Sequence, residues 1–350
     1  MHANDDEYSS AQNLSVVFKF FHANFSTLYV NTNGLVSFLS GVSTYTSEPF
    51  PGIGSLIVLA PFWADVDIRY CNSSCNIWYR ESDDLSIINK ATSEIQQYFP
   101  DMEHFIASWT YIATWYNVPF YGASAVGLTK RNTFQCVLIT NGLYAFVIFN
   151  YNKIEWTTGT ASGGNSDTGL DGTPAQVGFN MGDQSHYYSV EGSRTSDILN
   201  LTNLSNVKYP GKFLFRVDLE EIEPPDIDWC IDSNCQNGGT CVDGHFDYTC
   251  LCTVLHNGSY CESDIDWCID SKCQNDGTCI DGLFDHTCLC PVSHTGVYCE
   301  SDIDFCELHD ISCGNGGTCV DGLFDYSCAC PLTHTGYHCE TGTAKDKLLG

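Results

Sequence analysis

Hydrophobic residues in the first two-thirds of the chain fall into runs of roughly four to eight residues, bounded by polar clusters or alternating with polar positions. The runs are rich in aromatic and β-branched residues, which is typical of strands. Asn33-Gly34 and Asn141-Gly142 each separate two such runs, and Asn-Gly suits the positive φ angles of a hairpin turn, so neighbouring strands are expected to pair antiparallel. Strands are predicted at residues 14–21, 27–30, 35–39, 134–139, 145–150 and 212–217.

Helical patterns are few. We predict one helix over residues 91–99, with Thr92 or Ser93 as its N-cap, and a short helical turn at residues 196–199. This part of the chain is therefore expected to be mainly β, an antiparallel β-sandwich-like domain with minor helix. The longest apolar stretch, residues 56–64, is interrupted by Pro61 and is too short to span a membrane.

Cysteine is distributed very unevenly. Eighteen of the 21 cysteines follow residue 229 and form three copies of one six-cysteine pattern. A module of about 40 residues cannot bury enough apolar surface to fold alone, and the cytosol keeps thiols reduced, so this density predicts secreted, disulfide-stabilised modules. Spacing alone leaves the pairing of the cysteines open.

Two further features bear on the secretory route. Residues 1–6 lack the basic region and the apolar core of a signal peptide, so we expect the sequence to be a fragment, whether natural or prepared for expression, or the product of an incomplete gene model. Six Asn-X-Ser/Thr sequons agree with passage through the secretory pathway. These glycosylation candidates are Asn13, Asn24, Asn72, Asn200, Asn203 and Asn257.

Acidic residues are concentrated in the cysteine-rich part. Residues 220–350 contain 24 Asp and Glu but only three Lys, and the whole chain has a net charge of −29. This charge excludes nucleic acids and anionic membranes as expected partners. The acidic side chains either serve solubility through self-repulsion or contribute oxygen ligands to weak calcium sites.

The first domain offers few candidates for chemistry. Asp65 and Asp67 lie two apart on a predicted strand and so point the same way, but we expect them to hydrogen-bond backbone groups beside a buried Trp63 rather than to bind a metal. Residues 167–172 are similar to a calcium loop, yet Gly169 stands where an oxygen ligand is needed, so a plain turn is expected.

The three cysteines of the first domain are expected to have separate roles. Cys71 and Cys75 could close a short disulfide loop. Cys136 lies in an apolar run between Phe134 and Val137 and is expected to be a buried free thiol.

Several ordered segments of the first domain resemble the nidogen-like extracellular (NIDO) domain of nidogen, α-tectorin and the sushi-, nidogen- and EGF-like-domain proteins. In that family the domain serves adhesion and matrix assembly, so the resemblance implies those roles and no catalytic activity. The segments are residues 30–38 (VNTNGLVSF), 60–67 (APFWADVD), 112–118 (IATWYNV), 132–135 (NTFQ), 149–151 (FNY) and 175–180 (AQVGFN).

The cysteine pattern resembles the EGF-like module, with one residue between the fourth and fifth cysteines and eight between the fifth and sixth. The resemblance implies that the first cysteine pairs with the third, the second with the fourth and the fifth with the sixth. The implied pairs are Cys230–Cys241, Cys235–Cys250, Cys252–Cys261, Cys268–Cys279, Cys273–Cys288, Cys290–Cys299, Cys306–Cys319, Cys313–Cys328 and Cys330–Cys339.

The same resemblance implies candidate calcium ligands, because calcium-binding EGF modules begin with Asp-Ile-Asp and carry a second carboxylate or amide after the third cysteine. The residues at these places are Asp226, Ile227, Asp228 and Asp243; Asp264, Ile265, Asp266 and Asp281; and Asp302, Ile303, Asp304 and Asp321. The family's usual Glu after the tripeptide is replaced by Trp229, Trp267 and Phe305, so we expect weak calcium binding at most, with these rings packing between modules.

Two smaller features complete the comparison with EGF modules. The usual aromatic residue before the fourth cysteine is His286 in the second module, a further departure. Thr240, Thr278 and Thr318 precede the third cysteines and resemble O-fucose acceptors.

These patterns predict a NIDO domain followed by three EGF-like modules in tandem. They do not predict an enzyme, since the sequence has no paired-histidine zinc motif, nucleophile elbow or phosphate loop, and no small-molecule substrate is indicated. We expect a secreted adhesion or matrix-organising protein whose partners are matrix or cell-surface proteins. The alternative is a signalling ligand or receptor ectodomain that uses its EGF-like modules. Predicted boundaries are 10–218 for NIDO, 219–225 for a linker, 226–262, 264–300 and 302–340 for the modules, and 341–350 for a tail.

Overall fold

A computed structural model describes residues 5–343 except 53, 72–73, 245–246 and 283. The chain divides into two compact units. The first ends at Ile231 but also includes Asp243–Tyr248, and the second contains the remainder. Among the described residues, no helix has the length and apolar character needed to cross a membrane.

The first unit contains two antiparallel sheets, which confirms the mainly β prediction. One sheet has six strands in the order β1-β2-β3-β4-β9-β10, and the other has five in the order β11-β8-β7-β6-β5. The strands are β1 (Gln12–Phe20), β2 (Ala23–Asn31), β3 (Leu35–Ser37), β4 (Val58–Trp63), β5 (Asn76–Ser82), β6 (Trp109–Val118), β7 (Asn132–Thr140), β8 (Ala145–Lys153), β9 (Gln176–Asn180), β10 (Tyr187–Ser189) and β11 (Lys212–Arg216).

The core lies between the two sheets and is dominated by aromatic rings. Phe149 on β8 stacks on Phe179 on β9, with ring centroids 5.1 Å apart, and Phe134 on β7 meets Phe62 on β4 at 5.3 Å. All four side chains are fully buried. Burying one such ring stabilises a domain by about 1.5–3 kcal/mol relative to leaving it exposed, so this layer contributes strongly to the stability of the first unit.

A helix covers the opposite face of the five-stranded sheet. Helix α1 (Leu85–Tyr98) buries Ile88, Ala91 and Ile95. Their partners include Ile139, Phe146 and Leu214 of the five-stranded sheet. The central strands of that sheet are therefore covered on both faces, which explains their nearly continuous apolar sequence.

The predicted start of this helix was wrong. The N-cap is Asp84, whose side chain accepts a hydrogen bond from the Ser86 N–H at 2.8 Å. Thr92 and Ser93, the predicted caps, lie inside the helix: the Thr92 hydroxyl accepts from Ala107 N–H, and the Ser93 hydroxyl donates to the Asn89 carbonyl. An Asp carboxylate at the first turn satisfies the free N–H groups there, so the helix starts six residues earlier than its apolar pattern suggested.

Both predicted Asn-Gly turns form hairpins. Gly34 (φ 76°) connects β2 to β3, and Gly142 (φ 88°) lies between β7 and β8. Pro61 does not end β4, because the pairing of β4 with β9 shifts register between Ala60 and Trp63, and proline is tolerated at such irregularities.

Short helical segments connect some of these elements. The predicted turn at residues 196–199 is a 3-10 helix, Ser196–Thr202. The other 3-10 helices are Pro100–Met102, Gly127–Thr129, Thr160–Ser162 and Trp229–Asp232.

The cysteine-rich modules are built from pairs of short hairpins, with one further helix, α2 (Phe305–Leu308), opening the third. The major hairpins pair β12 (Thr240–Asp243) with β13 (Tyr248–Leu251), β16 (Thr278–Ile280) with β17 (Thr287–Leu289), and β20 (Thr318–Asp321) with β21 (Tyr326–Ala329). The minor ones pair β14 (His256–Asn257) with β15 (Ser263–Asp264), β18 (His294–Thr295) with β19 (Ser301–Asp302), and β22 (His334–Thr335) with β23 (Thr341–Gly342).

Disulfides replace an apolar core in these modules. The sixth cysteines, Cys261, Cys299 and Cys339, are fully buried. The structure contains the bridges Cys235–Cys250, Cys252–Cys261, Cys268–Cys279, Cys273–Cys288, Cys290–Cys299, Cys306–Cys319, Cys313–Cys328 and Cys330–Cys339. Cys230 and Cys241 are also disulfide-bonded. A bridge of this kind typically adds about 2–4 kcal/mol, which a module this small cannot gain from burial alone.

Candidate functional site

Each EGF-like module brings two of its predicted carboxylates together at its first turn. In the first module, oxygens of Asp228 and Asp243 and the sulfur of Cys230 all lie within 4.8 Å of one another. The same arrangement recurs at Asp266, Cys268 and Asp281 and at Asp304, Cys306 and Asp321. Because each of these cysteines is disulfide-bonded, only the carboxylates can act as ligands.

The second carboxylate of each pair already holds the module's first turn. Oδ1 of Asp243 accepts a hydrogen bond from the Trp229 N–H at 2.7 Å. Asp281 accepts from Trp267 N–H at 2.9 Å, and Asp321 from Phe305 N–H at 2.8 Å. The backbone of the aromatic residue, rather than its ring, therefore connects the start of each module to its major hairpin.

The first carboxylate of each pair caps the same turn. Oδ1 of Asp228 accepts from Cys230 N–H and that of Asp266 from Cys268 N–H, both at 2.8 Å. Asp304 is the N-cap of α2 and accepts from Glu307 N–H. A carboxylate has several acceptor positions, so capping and cation binding are compatible uses of these side chains.

The first Asp of the tripeptide lies elsewhere in the second and third modules. Asp264 and Asp302 belong to the minor hairpins, where they pair with His256 and His294 of the preceding module. The following isoleucines continue this contact: Ile265 N–H donates to the Leu255 carbonyl, and Ile303 N–H to that of Ser293. In the first module, a groove of about 420 Å³ is lined by Pro224, Pro225, Asp226, Ile227, Asp243 and Gly244.

The aromatic residues that replace the usual Glu are half-buried. The ring of Trp229 lies 5.4 Å from the Lys208 ammonium, and Phe305 stacks on His309 with centroids 6.2 Å apart. Trp and Phe supply no oxygen ligand, so the donor set of each site has one carboxylate fewer than the family pattern.

The candidate modification sites are accessible wherever the structure describes them. Asn72 lies outside the described residues. The exposed candidates are Asn13, Asn24, Asn200, Asn203, Asn257, Thr240, Thr278 and Thr318.

Asp65 and Asp67 differ sharply in their surroundings. Both oxygens of Asp67 accept from the Arg69 side chain, and Oδ1 also accepts from the Arg69 N–H, as the hydrogen-bonding prediction required. For Asp65 that prediction was wrong, because within the described structure neither buried oxygen has a hydrogen-bond partner. Burial, and then the charges of Asp6, Asp5 and Asp67, raise the pKa of Asp65 to about 8.

The other expectations for the first domain agree with the structure. Residues 167–172 form a turn held by Asn165, whose side chain accepts from Asp167 N–H at 2.9 Å. Cys71 and Cys75 form a disulfide. Cys136 is a fully buried free cysteine, and burial raises the pKa of its thiol well above the usual value.

A surface histidine cluster was missed in the sequence. His22 and His186 are far apart in the chain, yet their ring centroids lie 4.8 Å apart in the fold. Asp183 accepts from His186, and this hydrogen bond raises the pKa of the imidazole; Glu220 contacts the other ring nitrogen at 3.3 Å. No spacing signal could have joined these residues, because they lie in separate connections, between β1 and β2 and between β9 and β10, that meet only in the folded domain.

Comparison with known proteins gives the family. Residues 26–219 match the nidogen-like domain, which is more than half of the chain. This chain belongs to the nidogen-like domain family. Residues 235–254, 273–292 and 313–332 match human growth factor-like EGF, so the NIDO domain is followed by three EGF-like modules of a kind that can bind calcium.

Similar proteins include alpha-tectorin of Gallus gallus, 44% identical over 70% of this chain and 12% of that protein. Nidogen of Drosophila melanogaster is 31% identical over 57% of this chain and 14% of its own length. Nidogen-2 of Mus musculus is 30% identical over 64% of this chain and 17% of its own length. The chain thus spans less than a fifth of each of these curated relatives.

Proposed function

We propose that this chain belongs to an extracellular, matrix-organising protein that makes adhesive contacts with matrix or cell-surface proteins. The observation that carries the proposal is the combination, in one chain, of a nidogen-like domain and three tandem EGF-like modules. Its dense disulfides suit an oxidising compartment, and its similarity to alpha-tectorin and to nidogen supports the same assignment.

The tandem modules suit weak, repeated contacts rather than a single tight site. They present an acidic surface, with 24 acidic and three basic residues between 220 and 350. Several weak sites on one chain raise the overall avidity through effective concentration without any single strong contact. Basic or calcium-bridged partners therefore fit this surface best.

Calcium is proposed as a regulator of the modules. Asp228 and Asp243, with their counterparts in the other modules, place carboxylates within 4.8 Å of each other, which suits a hard cation. Extracellular modules bind calcium with Kd of about 10⁻⁴–10⁻³ M, and the loss of one carboxylate at Trp229 places these sites at or above the weak end of that range. Calcium would then strengthen the connection between each first turn and its major hairpin.

The test uses the secreted chain with its disulfides intact, applied to immobilised matrix proteins and to intact cells, in calcium and in chelator. A triple variant removes the proposed calcium carboxylates by Asn substitution at Asp243, Asp281 and Asp321. A matched triple variant loses the same charge at exposed positions, Asp270, Asp276 and Asp310.

We expect saturable binding to at least one of the two surfaces, reduced by chelator and by the first triple variant but not by the second. Binding that resists both chelator and the first variant would remove calcium from the proposal and leave adhesion intact. The absence of binding to either surface would contradict the proposed function.

A further inference from the structure

The first domain contains a buried carboxylate that has no compensating group among the described residues. Asp65 follows the end of β4 and is 1% exposed, and neither of its oxygens has a hydrogen-bond partner. Leaving an ionised carboxylate buried and unpaired costs several kcal/mol, so native structures pair it, protonate it or coordinate it to a metal.

The surroundings of Asp65 are acidic because the amino-terminal segment docks beside it. Asp5 pairs with Asp67 in an isolated antiparallel bridge. Asp6 is held by Asn33, whose Nδ2 donates to Asp6 Oδ1 at 2.7 Å while its Oδ1 accepts from Val66 N–H at 2.9 Å. Asp5, Asp6 and Asp67 are thus each held by contacts within the fold, and the charges of all three act on Asp65.

One guanidinium lies in this cluster, and it is directed at the other carboxylates. Arg69 Nη2 lies 2.7 Å from Asp67 Oδ2 and 3.0 Å from Asp5 Oδ2. Among the described residues, the charges of Asp6, Asp5 and Asp67 act against ionisation of Asp65, and the charge of Arg69 favours it. Four ionised carboxylates and one guanidinium leave an excess of negative charge, which a divalent cation would reduce.

The Asp65 carboxylate packs closely against a glycine. A Cβ atom on Gly159 would overlap Oδ2 of Asp65. Gly159 has φ −92°, which any residue can adopt. A larger residue is therefore disfavoured at this position by overlap with the Asp65 side chain and not by the backbone conformation.

We propose that Asp65, with Asp5 and Asp6 and in contact with the Asp67–Arg69 pair, forms a divalent cation site in the nidogen-like domain. The donors are all oxygens, which suits calcium, and calcium tolerates the irregular geometry of such a cluster better than magnesium does. The cation would fasten the amino-terminal segment to the end of β4. This site is separate from the carboxylate pairs of the EGF-like modules and does not depend on the proposed function.

The experiment is hydrogen exchange with mass spectrometry on the full secreted chain, in calcium chloride and in chelator. Peptides covering residues 5–8, 63–68 and 157–164 report on the proposed site separately from the modules. With calcium at about ten times Kd, local opening is disfavoured about tenfold, so exchange at these amides should slow about tenfold. Asp65→Asn keeps the shape of the side chain and removes its charge, and Asp197→Asn is the control on an exposed turn of the same domain.

We expect the calcium-dependent protection to disappear in Asp65→Asn and to remain in Asp197→Asn, while in chelator Asp65→Asn exchanges no faster than the original chain. Should Asp65→Asn fail to be secreted, Asp6→Asn provides the same test, since Asn tolerates the positive φ of Asp6 (49°). Equal protection with and without calcium in the original chain would overturn the site. The same calcium response in Asp65→Asn would overturn it too, and so would protection that, relative to the intrinsic exchange rate at each pH, follows acidification and not calcium.

Discussion

The turn between β2 and β3 allows a demanding test of how the nidogen-like domain is held together. Gly34 has φ 76°, and a Cβ atom at this position would overlap the carbonyl oxygen of Phe62 on β4. The Gly34 carbonyl also accepts from Phe62 N–H at 3.3 Å. Gly34→Ala therefore requires both a strained backbone and a separation of the hairpin from β4.

The matched control is Gly142→Ala in the hairpin between β7 and β8. Gly142 has a similar φ of 88°, but nothing lies within 4 Å of an added Cβ. The left-handed conformation alone costs about 1–2 kcal/mol for alanine. At Gly34 the overlap and the weakened backbone hydrogen bond add about 2–3 kcal/mol, for a total of about 3–5 kcal/mol.

A loss of this size is a large share of the stability of a typical domain, about 5–15 kcal/mol. Urea unfolding followed by tryptophan fluorescence measures it, since Trp109, Trp115 and Trp156 are buried in the first unit. We expect Gly34→Ala to lower the free energy of unfolding by at least about 2 kcal/mol more than Gly142→Ala does. Equal losses in the two variants would refute the argument that contact with β4, rather than backbone conformation, requires glycine at position 34.

Three further predictions follow from single residues. Cys136 should resist alkylation in the native chain and react once per chain on unfolding, because burial raises the pKa of its thiol; mass spectrometry of the labelled protein decides this. His186→Asn should destabilise the chain by less than about 1 kcal/mol, because the ion pair that it removes, between His186 and Asp183, is exposed to solvent. The full loss should be seen at pH values below the unfolded pKa of about 6.5, and no loss should be seen above the raised pKa of His186 in the folded chain. Urea midpoints at several pH values measure this difference. Trp229→Glu should tighten calcium binding by the first module about tenfold in calorimetric titrations, and the same change combined with Asp243→Asn should not.

Local turn chemistry was the most reliable guide from sequence to fold. Asn33-Gly34 and Asn141-Gly142 were placed correctly as hairpins because an Asn-Gly pair determines its own backbone conformation. Helix α1 was predicted too short, because the capping role of Asp84 depends on a hydrogen bond that apolar periodicity does not reveal. Strand β4 was interpreted only as an apolar stretch broken by Pro61, since the register shift that accommodates the proline arises from the pairing of β4 with β9, which the sequence pattern does not show.

The candidate sites also differ in whether a local sequence pattern marks them. The carboxylate pairs of the modules lie within one repeat, so a repeated spacing marks them in the sequence. The acidic cluster of the first domain joins Asp5 and Asp6 to Asp65 across some sixty residues, through a backbone bridge and the side chain of Asn33. No local pattern encodes such a contact, because it depends on where the two segments meet in the folded domain.

Incorporation into an extracellular matrix is the decisive measurement for the proposed matrix-organising role. The tagged chain, secreted by cultured matrix-producing cells, is followed into the medium and into the detergent-insoluble matrix, beside a secreted control protein of similar size and charge. We expect the chain to accumulate in the insoluble fraction while the control stays in the medium, and we expect chelator to lower this accumulation. Recovery of the chain only in the medium, at the same ratio as the control, would contradict a matrix-organising role.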